Sequence, residues 1–305
     1  MALKQQHSTF GSLPLPQELA PDLAADYAAC RQIMHGASKN YSFASRVLPL
    51  DKLHHVEALY AVMRVGDDRV DVSHAGFESP LAAIEEWRDS YWRAFETGTS
   101  HHPVLRAYVN TCHQFDIPPE LLQPYFRAMI EDLSVTRFPT FVALLHYMDG
   151  SALTVGRVMT HILGTRSGRV EDAYPYADAL SVAMQLSNFW RDIWQDWNIG
   201  RVYIPQEDLT MFSYSEADLG AQLLDERLIA LLEYEFERTE RYYQTARQGV
   251  PLLASGRWGV MSALEIYRAI MQDIRQAGYD VFSRRAGTTR LQKLKWVVRA
   301  RWETL

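Results

Sequence analysis

The sequence predicts a single all-α domain, and three observations predict it. Apolar residues recur at helical spacing along stretches that prolines punctuate. Hairpin signals are nearly absent: there is no Asn-Gly pair, and the one Asp-Gly, Asp149-Gly150, sits between helical patterns. No repeat, low-complexity tract or Gly/Ser linker divides the chain. At 305 residues, with 48% apolar and 22% charged side chains, the chain can bury a substantial core and does not have a disordered composition.

The elements follow in order. Pro14, Pro16 and Pro21 mark an extended entry segment, residues 1–25. Asp51 is the N-cap of a helix to about Val72, with Val56, Leu59, Tyr60 and Met63 at helical spacing. Pro80 opens a helix to about Phe95, and Pro103 and Pro118-Pro119-Glu120 open two more. Thr140–Leu163 reads as helix, break and helix around Gly150. Pro175 precedes a long helix to about Trp197, and Gly200 to Leu209 is a loop containing Pro205. Residues 215–248 are amphipathic, one or two helices. Residues 257–278 form another, and 288–305 a basic last one.

Charge narrows the function classes. The formal charge is −6, which argues against a nucleic-acid partner. Its distribution is uneven. From Arg284 onward there are seven basic residues against Glu303 alone, leaving 24 basic and 36 acidic groups on residues 1–283. Two cysteines, Cys30 and Cys112, provide no disulfide framework and fit a reducing cytoplasm. No apolar run serves as a signal peptide or approaches the roughly 20 residues of a membrane span. The expectation is a soluble cytoplasmic protein that at most rests on a membrane surface.

Two motifs carry chemistry. In Arg64-Val-Gly-Asp67-Asp68-Arg-Val-Asp71, the carboxylates of Asp67 and Asp71 share a helix face with Arg64 one turn earlier. In Asn188-Phe-Trp-Arg191-Asp192-Ile-Trp-Gln-Asp196, three oxygen donors fall at i, i+4 and i+8 on a helix otherwise rich in Met, Leu, Phe and Trp. Carboxylates on an apolar helix are expensive unless paired or bound to metal. Alone, either acidic pair is most often a solvated face. Together they describe an acid–base box suited to Mg²⁺ and a diphosphate. A di-iron bundle would need paired Glu-x-x-His motifs, and the nearest match, Asp71-Val-Ser-His74, has no partner. Zinc-ligand spacing, a P-loop and a Gly-x-Gly-x-x-Gly fingerprint are missing. His54-His55 and His101-His102 read as surface helix ends. Among the 16 tyrosines, Tyr41, Tyr60, Tyr147, Tyr203 and Tyr267 lie in or near the polar motifs.

These motifs resemble those of the squalene/phytoene synthase family, the trans head-to-head prenyl synthases, from about Ser38 to Lys295. Ser38-Lys-Asn-Tyr41-Ser-Phe43, the Ala58–Asp71 block, Tyr147 through Gly156, and Gln185–Asp196 with Gly200-Arg-Val-Tyr203-Ile-Pro205 carry the resemblance. Tyr267 and Gly278–Arg285 also fit. The resemblance implies the isoprenoid synthase fold, one helical domain around a central active-site cavity. It implies Mg²⁺, or Mn²⁺, on Asp67, Asp71, Asn188, Asp192 and Asp196. It implies diphosphates held by Lys39, Arg64, Arg191, Arg284 and Tyr203, with Tyr41, Tyr147 and Tyr267 lining the reacting centre beside Arg64 and Arg191.

The implied reaction joins two allylic diphosphates through a cyclopropylcarbinyl diphosphate. Proton loss then gives phytoene, hydride from NADPH gives squalene, and water gives a hydroxysqualene. Gly150-Ser151-Ala152 and Asn188-Phe189-Trp190 are similar to hopanoid-pathway squalene synthases, whereas the Asp67–Val72 and Gly278–Arg285 segments are similar to bacterial phytoene synthases. Ser45, one turn past Tyr41, would lengthen an apolar pocket and favours geranylgeranyl over farnesyl substrates. The reading is phytoene synthase, with squalene, dehydrosqualene or hydroxysqualene synthase as the alternative. A non-catalytic partner protein of the same fold would be expected to lose acidic ligands, which this chain keeps. Trp296, Val297, Val298 and Trp302, alternating with Lys295, Arg299 and Arg301, make the last helix a candidate membrane contact.

Overall fold

A computed structural model describes residues 20–37, 47–71, 76–286 and 290–304, without the side chains of residues 21, 37, 71, 290–295 and 303. Within these residues the chain is helical, with no strand longer than isolated bridges. The long helices are α1 (Pro21–Ala37), α2 (Leu50–Asp71), α3 (Pro80–Thr97), α4 (Pro103–Gln114), α5 (Gln123–Glu131), α6 (Phe141–Met148), α7 (Thr154–Leu163) and α8 (Tyr174–Asn198). Short α9 (Gln206–Met211) and α10 (Glu216–Gly220) precede α11 (Glu226–Gly249), α12 (Arg257–Gln276) and α13 (Arg290–Glu303).

The starts obey local chemistry. Prolines open α3 and α4, where a missing N–H is tolerated. Ser79 accepts from the Ala82 N–H at 3.1 Å, Thr140 from Ala143 at 3.2 Å, and Asp225 from Leu228 at 3.2 Å. Several expectations change. Helix α2 begins at Leu50, so Asp51 lies inside its first turn and is not the N-cap. Pro21 opens helix α1 instead of continuing an extended segment through residue 25. The break at Gly150 is a π-helical turn, Asp149–Leu153, joining α6 to α7. A Cβ on Gly150 would lie 2.1 Å from the Pro124 carbonyl oxygen, so glycine lets this turn press onto α5. The loop after Gly200 gives way to α9 at Gln206.

Helix α8 is the axis of the molecule, packed against α7, α11 and α12, while α2 packs on α1, α3, α4 and α7. Trp190 of α8 is fully buried and donates to Thr239 of α11 at 2.9 Å, and Ser187 meets Tyr243 at 2.8 Å. Burying a side chain of this size contributes roughly 3 kcal/mol, and its satisfied N–H removes the penalty of an orphaned donor. His54 and His55 are buried beside Tyr27, not on a surface helix end, and burial holds their imidazoles at about 4 and about 3. Both cysteines are buried and free.

Candidate active site

An apolar cavity of about 260 Å³ lies between α7, α8, α12 and the end of α11. Its α8 wall follows from helical spacing. Leu180, Met184 and Asn188 fall four apart on one face, so the face turns from apolar to polar at Asn188. The next two turns of α8 carry Asp192 and Asp196, outside the cavity lining, where the four-residue steps have drifted round the helix and Asp196 borders a separate small pocket. One helix therefore supplies a greasy wall and an acidic end, about 24 Å apart from Leu180 to Asp196 at the usual helical rise. Tyr267 of α12 joins Asn188 on the cavity wall.

The acidic end is a charge network. Arg191 donates to both oxygens of Asp192 at 2.8 and 2.5 Å, and Arg285 to the same oxygens at 2.6 and 2.7 Å. Burial would raise the Asp192 carboxyl, but these bonds outweigh it and hold it below its usual range. Asp196, one turn on, lacks such a clamp. Burial, and then the Asp192 charge, push it up to about 7 against the pull of Arg201, Arg191 and Arg285. Of the two arginines in the Arg284-Arg285 pair, Arg285 meets the motif, and Arg284 is exposed. The Asp280 side chain accepts from the N–H groups of Phe282 and Ser283 in the turn just before this pair.

The α2 wall is built differently. Asp67 accepts from the Tyr125 phenol at 3.0 Å, and the same phenol meets the Met63 carbonyl at 2.6 Å. A Cβ on Gly66 would stand 2.2 Å from that phenol oxygen, so Tyr125 reaches the helix only because residue 66 is glycine. Arg64 pairs with Asp68 at 2.5 Å. The Asp71 side chain lies outside the described residues, as do Lys39, Tyr41 and Ser45.

The aromatic residues divide. Tyr267 lines the cavity, and burial raises its phenol, so it stays protonated. Tyr147 is 5% exposed and lies behind the acidic end, not on the cavity wall. Its ring is 6.0 Å from that of Tyr203, which stacks on Phe189 at 3.9 Å. Tyr203 stands beside Asp196 and Arg201. Sequence reasoning did not single out Arg285, Tyr125, Gln185 or Asp132 as site residues. Arg285 carries a local signal as the neighbour of Arg284, and Gln185 opens the second acidic block, whereas Tyr125 and Asp132 lie in no motif.

Among the described residues, no group of three or more His, Cys, Asp or Glu side chains is preassembled for a metal ion. The donor set nevertheless fits a hard divalent cation. Asp67, Asn188, Asp192 and Asp196 offer only oxygen, and Asp196 holds excess negative charge that a cation would relieve.

A helical shell around an apolar cavity, with an acid–arginine network at one end, defines an isoprenoid synthase fold of the prenyltransferase class. Comparison with known proteins gives the particular family. The family model "Squalene/phytoene synthase" matches residues 34–292. The chain is 34% identical over 275 residues to a phytoene synthase of Arthrospira platensis, covering 85% of this chain and 87% of that one. It is 32% identical over 293 residues to a 15-cis-phytoene synthase of Synechococcus elongatus, covering 92% and 93%. A crystal structure of a dehydrosqualene synthase superposes with a TM-score of 0.85 at 25% identity, over 92% of this chain and 97% of that one. Squalene synthase HpnC from Alicyclobacillus acidocaldarius superposes at 0.77 with 25% identity, over 86% and 97%. The chain belongs to the squalene/phytoene synthase family of prenyltransferases.

Proposed function

We propose that the chain condenses two geranylgeranyl diphosphates head to head, in a divalent-cation-dependent reaction, to give phytoene, a carotenoid precursor. The observation that carries this is helix α8, which lines the apolar cavity through Leu180, Met184 and Asn188 and carries Asp192 and Asp196 on its next two turns. An allylic diphosphate has the same order: an apolar tail, a reacting carbon and a charged head. The full-length similarity to proteins named phytoene synthase supports the product assignment.

Asp67 and Asp71 from one wall, and Asn188, Asp192 and Asp196 from the other, would hold Mg²⁺. Bound cations supply neutralisation of the departing diphosphate. Arg191 and Arg285 offer bidentate guanidinium forks in the same place. The first substrate ionises, and the double bond of the second attacks the allylic cation. Proton loss closes the cyclopropane ring. The second diphosphate then leaves, the skeleton rearranges, and a second proton loss gives the triene centre. Leu180, Met184 and Val260 offer no nucleophile, and the apolar wall keeps water from the cation. Tyr267 presents a neutral phenol, whose π-face stabilises positive charge without capturing it.

The products are hydrocarbons with no aqueous fate, and we place the bilayer contact on α13. Val297 and Ala300 are buried against the body, and Trp258 donates to the Val297 carbonyl at 2.8 Å. Val298 and Trp302 are exposed, 52% and 75%, between exposed Arg299 and Arg301. Half of the expected apolar stripe is therefore packing, and half is free to enter an anionic membrane surface. No helix among the described residues is long and apolar enough to cross a membrane.

The test is incubation of the protein with Mg²⁺ and geranylgeranyl or farnesyl diphosphate, with and without NADPH, followed by mass spectrometry of the hydrocarbons. Phytoene from the geranylgeranyl substrate without NADPH is expected. A farnesyl-only product would reassign the chain to the squalene branch. For the membrane contact, Val298→Ser with Trp302→Ser should abolish sedimentation with anionic vesicles and leave turnover in detergent intact.

A further inference from the structure

Asp132 breaks a local rule. It caps the C-terminus of α5, where the helix dipole is negative and an acidic side chain is disfavoured. It is also largely buried, with its carboxylate 11% exposed. Such an arrangement persists only if partners hold it. Arg201 provides one: its guanidinium lies 3.8 Å from the carboxylate and donates to the Asp132 carbonyl at 3.2 Å. The Tyr147 phenol provides the other: it is the hydrogen-bond partner of the Asp132 carboxylate, which helps hold its proton, and its ring lies 6.0 Å from that of Tyr203.

These partners sit on the segment that follows the acidic end of α8. The Arg201 N–H closes onto the Asp196 carbonyl at 2.8 Å, and the Val202 N–H donates to Thr136 at 3.0 Å. Tyr203 is stacked between Phe189 of α8 and Phe138, with ring centroids 3.9 and 5.7 Å away. A single carboxylate thus anchors residues from three places in the chain: α5 itself, Tyr147 of α6, and Arg201 on the 200–205 loop. Asp132 belongs to neither acidic motif.

We propose that Asp132 is a positioning residue of the condensation, acting through Tyr147 and the Arg201–Tyr203 loop to hold the wall behind Asp196 in its reactive arrangement. A carboxylate is required because it accepts from a phenol and balances a guanidinium at once. The isosteric amide of Asn accepts only weakly from the phenol and leaves Arg201 without its countercharge.

The proposal rests on the head-to-head reading, and wild-type turnover tests that reading separately. Asp132→Asn, Asp132→Glu, Tyr147→Phe and the double variant Asp132→Asn/Tyr147→Phe are compared as full-length proteins with Mg²⁺ and geranylgeranyl diphosphate. Asp132→Asn should lower kcat about 10- to 100-fold with KM within about twofold, and Asp132→Glu should recover part of the loss. The double variant should lose no more than the more damaging single variant, since both act through one hydrogen bond. Multiplicative losses, or an Asp132→Asn enzyme with unchanged kcat per folded molecule, would overturn the proposal. If Asp132→Asn fails to fold, Arg201→Gln tests the same anchor, and unchanged kcat there overturns it.

Discussion

Two clusters in this molecule are made of the same residue types and behave oppositely. In the first, Arg238 bridges Asp208 at 2.7 Å and Glu235 at 3.0 Å, with Phe141 under the guanidinium at 4.1 Å. All three ionic side chains are buried. In the second, Arg191 and Arg285 clamp Asp192, and Asp196 stands one turn beyond, on the helix that lines the cavity. Each cluster carries a carboxylate under strain. In the sealed cluster, burial drives Glu235 up to about 9, so it keeps its proton at neutral pH and the excess charge is settled internally. At the cavity end, Asp196 reaches only about 7, so its proton is readily exchanged for a cation. The sealed cluster stabilises a packing arrangement. The other is poised to accept a ligand.

The sharpest way to break this contrast is to remove one carboxylate from the cavity-end cluster. Asp192→Asn or Asp196→Asn should reduce kcat/KM by about 10³-fold or more, because charge stabilisation of the leaving group is a dominant catalytic effect. The melting temperature should stay near that of the wild type. Steady-state kinetics beside calorimetry checks both halves, and a variant that melts early with normal specific activity would place Asp192 with the structural ion pairs.

The sealed cluster should fail in the opposite sense. Arg238→Ala strands Asp208 and Glu235 in the core and should cost about 3–5 kcal/mol, read from urea unfolding. Turnover per folded molecule should not change.

What could be read from the sequence tracks how local the determinant is. Asn188, Asp192 and Asp196 were visible because four-residue spacing on one helix is a property of neighbouring residues. The same holds for the helix starts at Pro80 and Pro103. Helix α1 was missed because prolines before it read as an extended segment, while its buried face is decided by packing on α2 and α4. The burial of His54 and His55 depends on Tyr27 and Thr111, far away in sequence. Arg285 reaches Asp192 across 93 residues, and no spacing rule foretells it. Gly66 lies within the first acidic motif, but its reason is the Tyr125 phenol on another helix.

Arg285 and Arg284 offer a smaller, sharper test of the cavity-end network. Arg285→Ala should weaken substrate binding and lower kcat/KM about 10-fold, since it removes a bidentate partner from Asp192. Arg284→Ala, one residue away and exposed, should stay within about twofold. Equal losses would show that both side chains reach the diphosphate.

The smallest effect separates the two clusters by proton linkage. A carboxyl raised on folding binds its proton more tightly in the folded state, so its contribution is fully present below the unfolded value and lost as pH rises through the folded one. Asp196 moves from 3.8 to about 7, and Glu235 from 4.5 to about 9. Metal-free protein should therefore lose a few degrees of melting temperature between pH 5 and pH 8. Asp192, held below its usual range, contributes no slope in that window. Asp196→Asn should remove the part of the slope that ends near pH 7, and Glu235→Gln the part that runs on toward pH 9. Mg²⁺ with inorganic diphosphate should flatten the first part only, since cations reach Asp196 and not the sealed core. Flattening of both parts by Mg²⁺ would mean that Glu235 is open to ions, and the division between a sealed cluster and a ligand-ready one would fall.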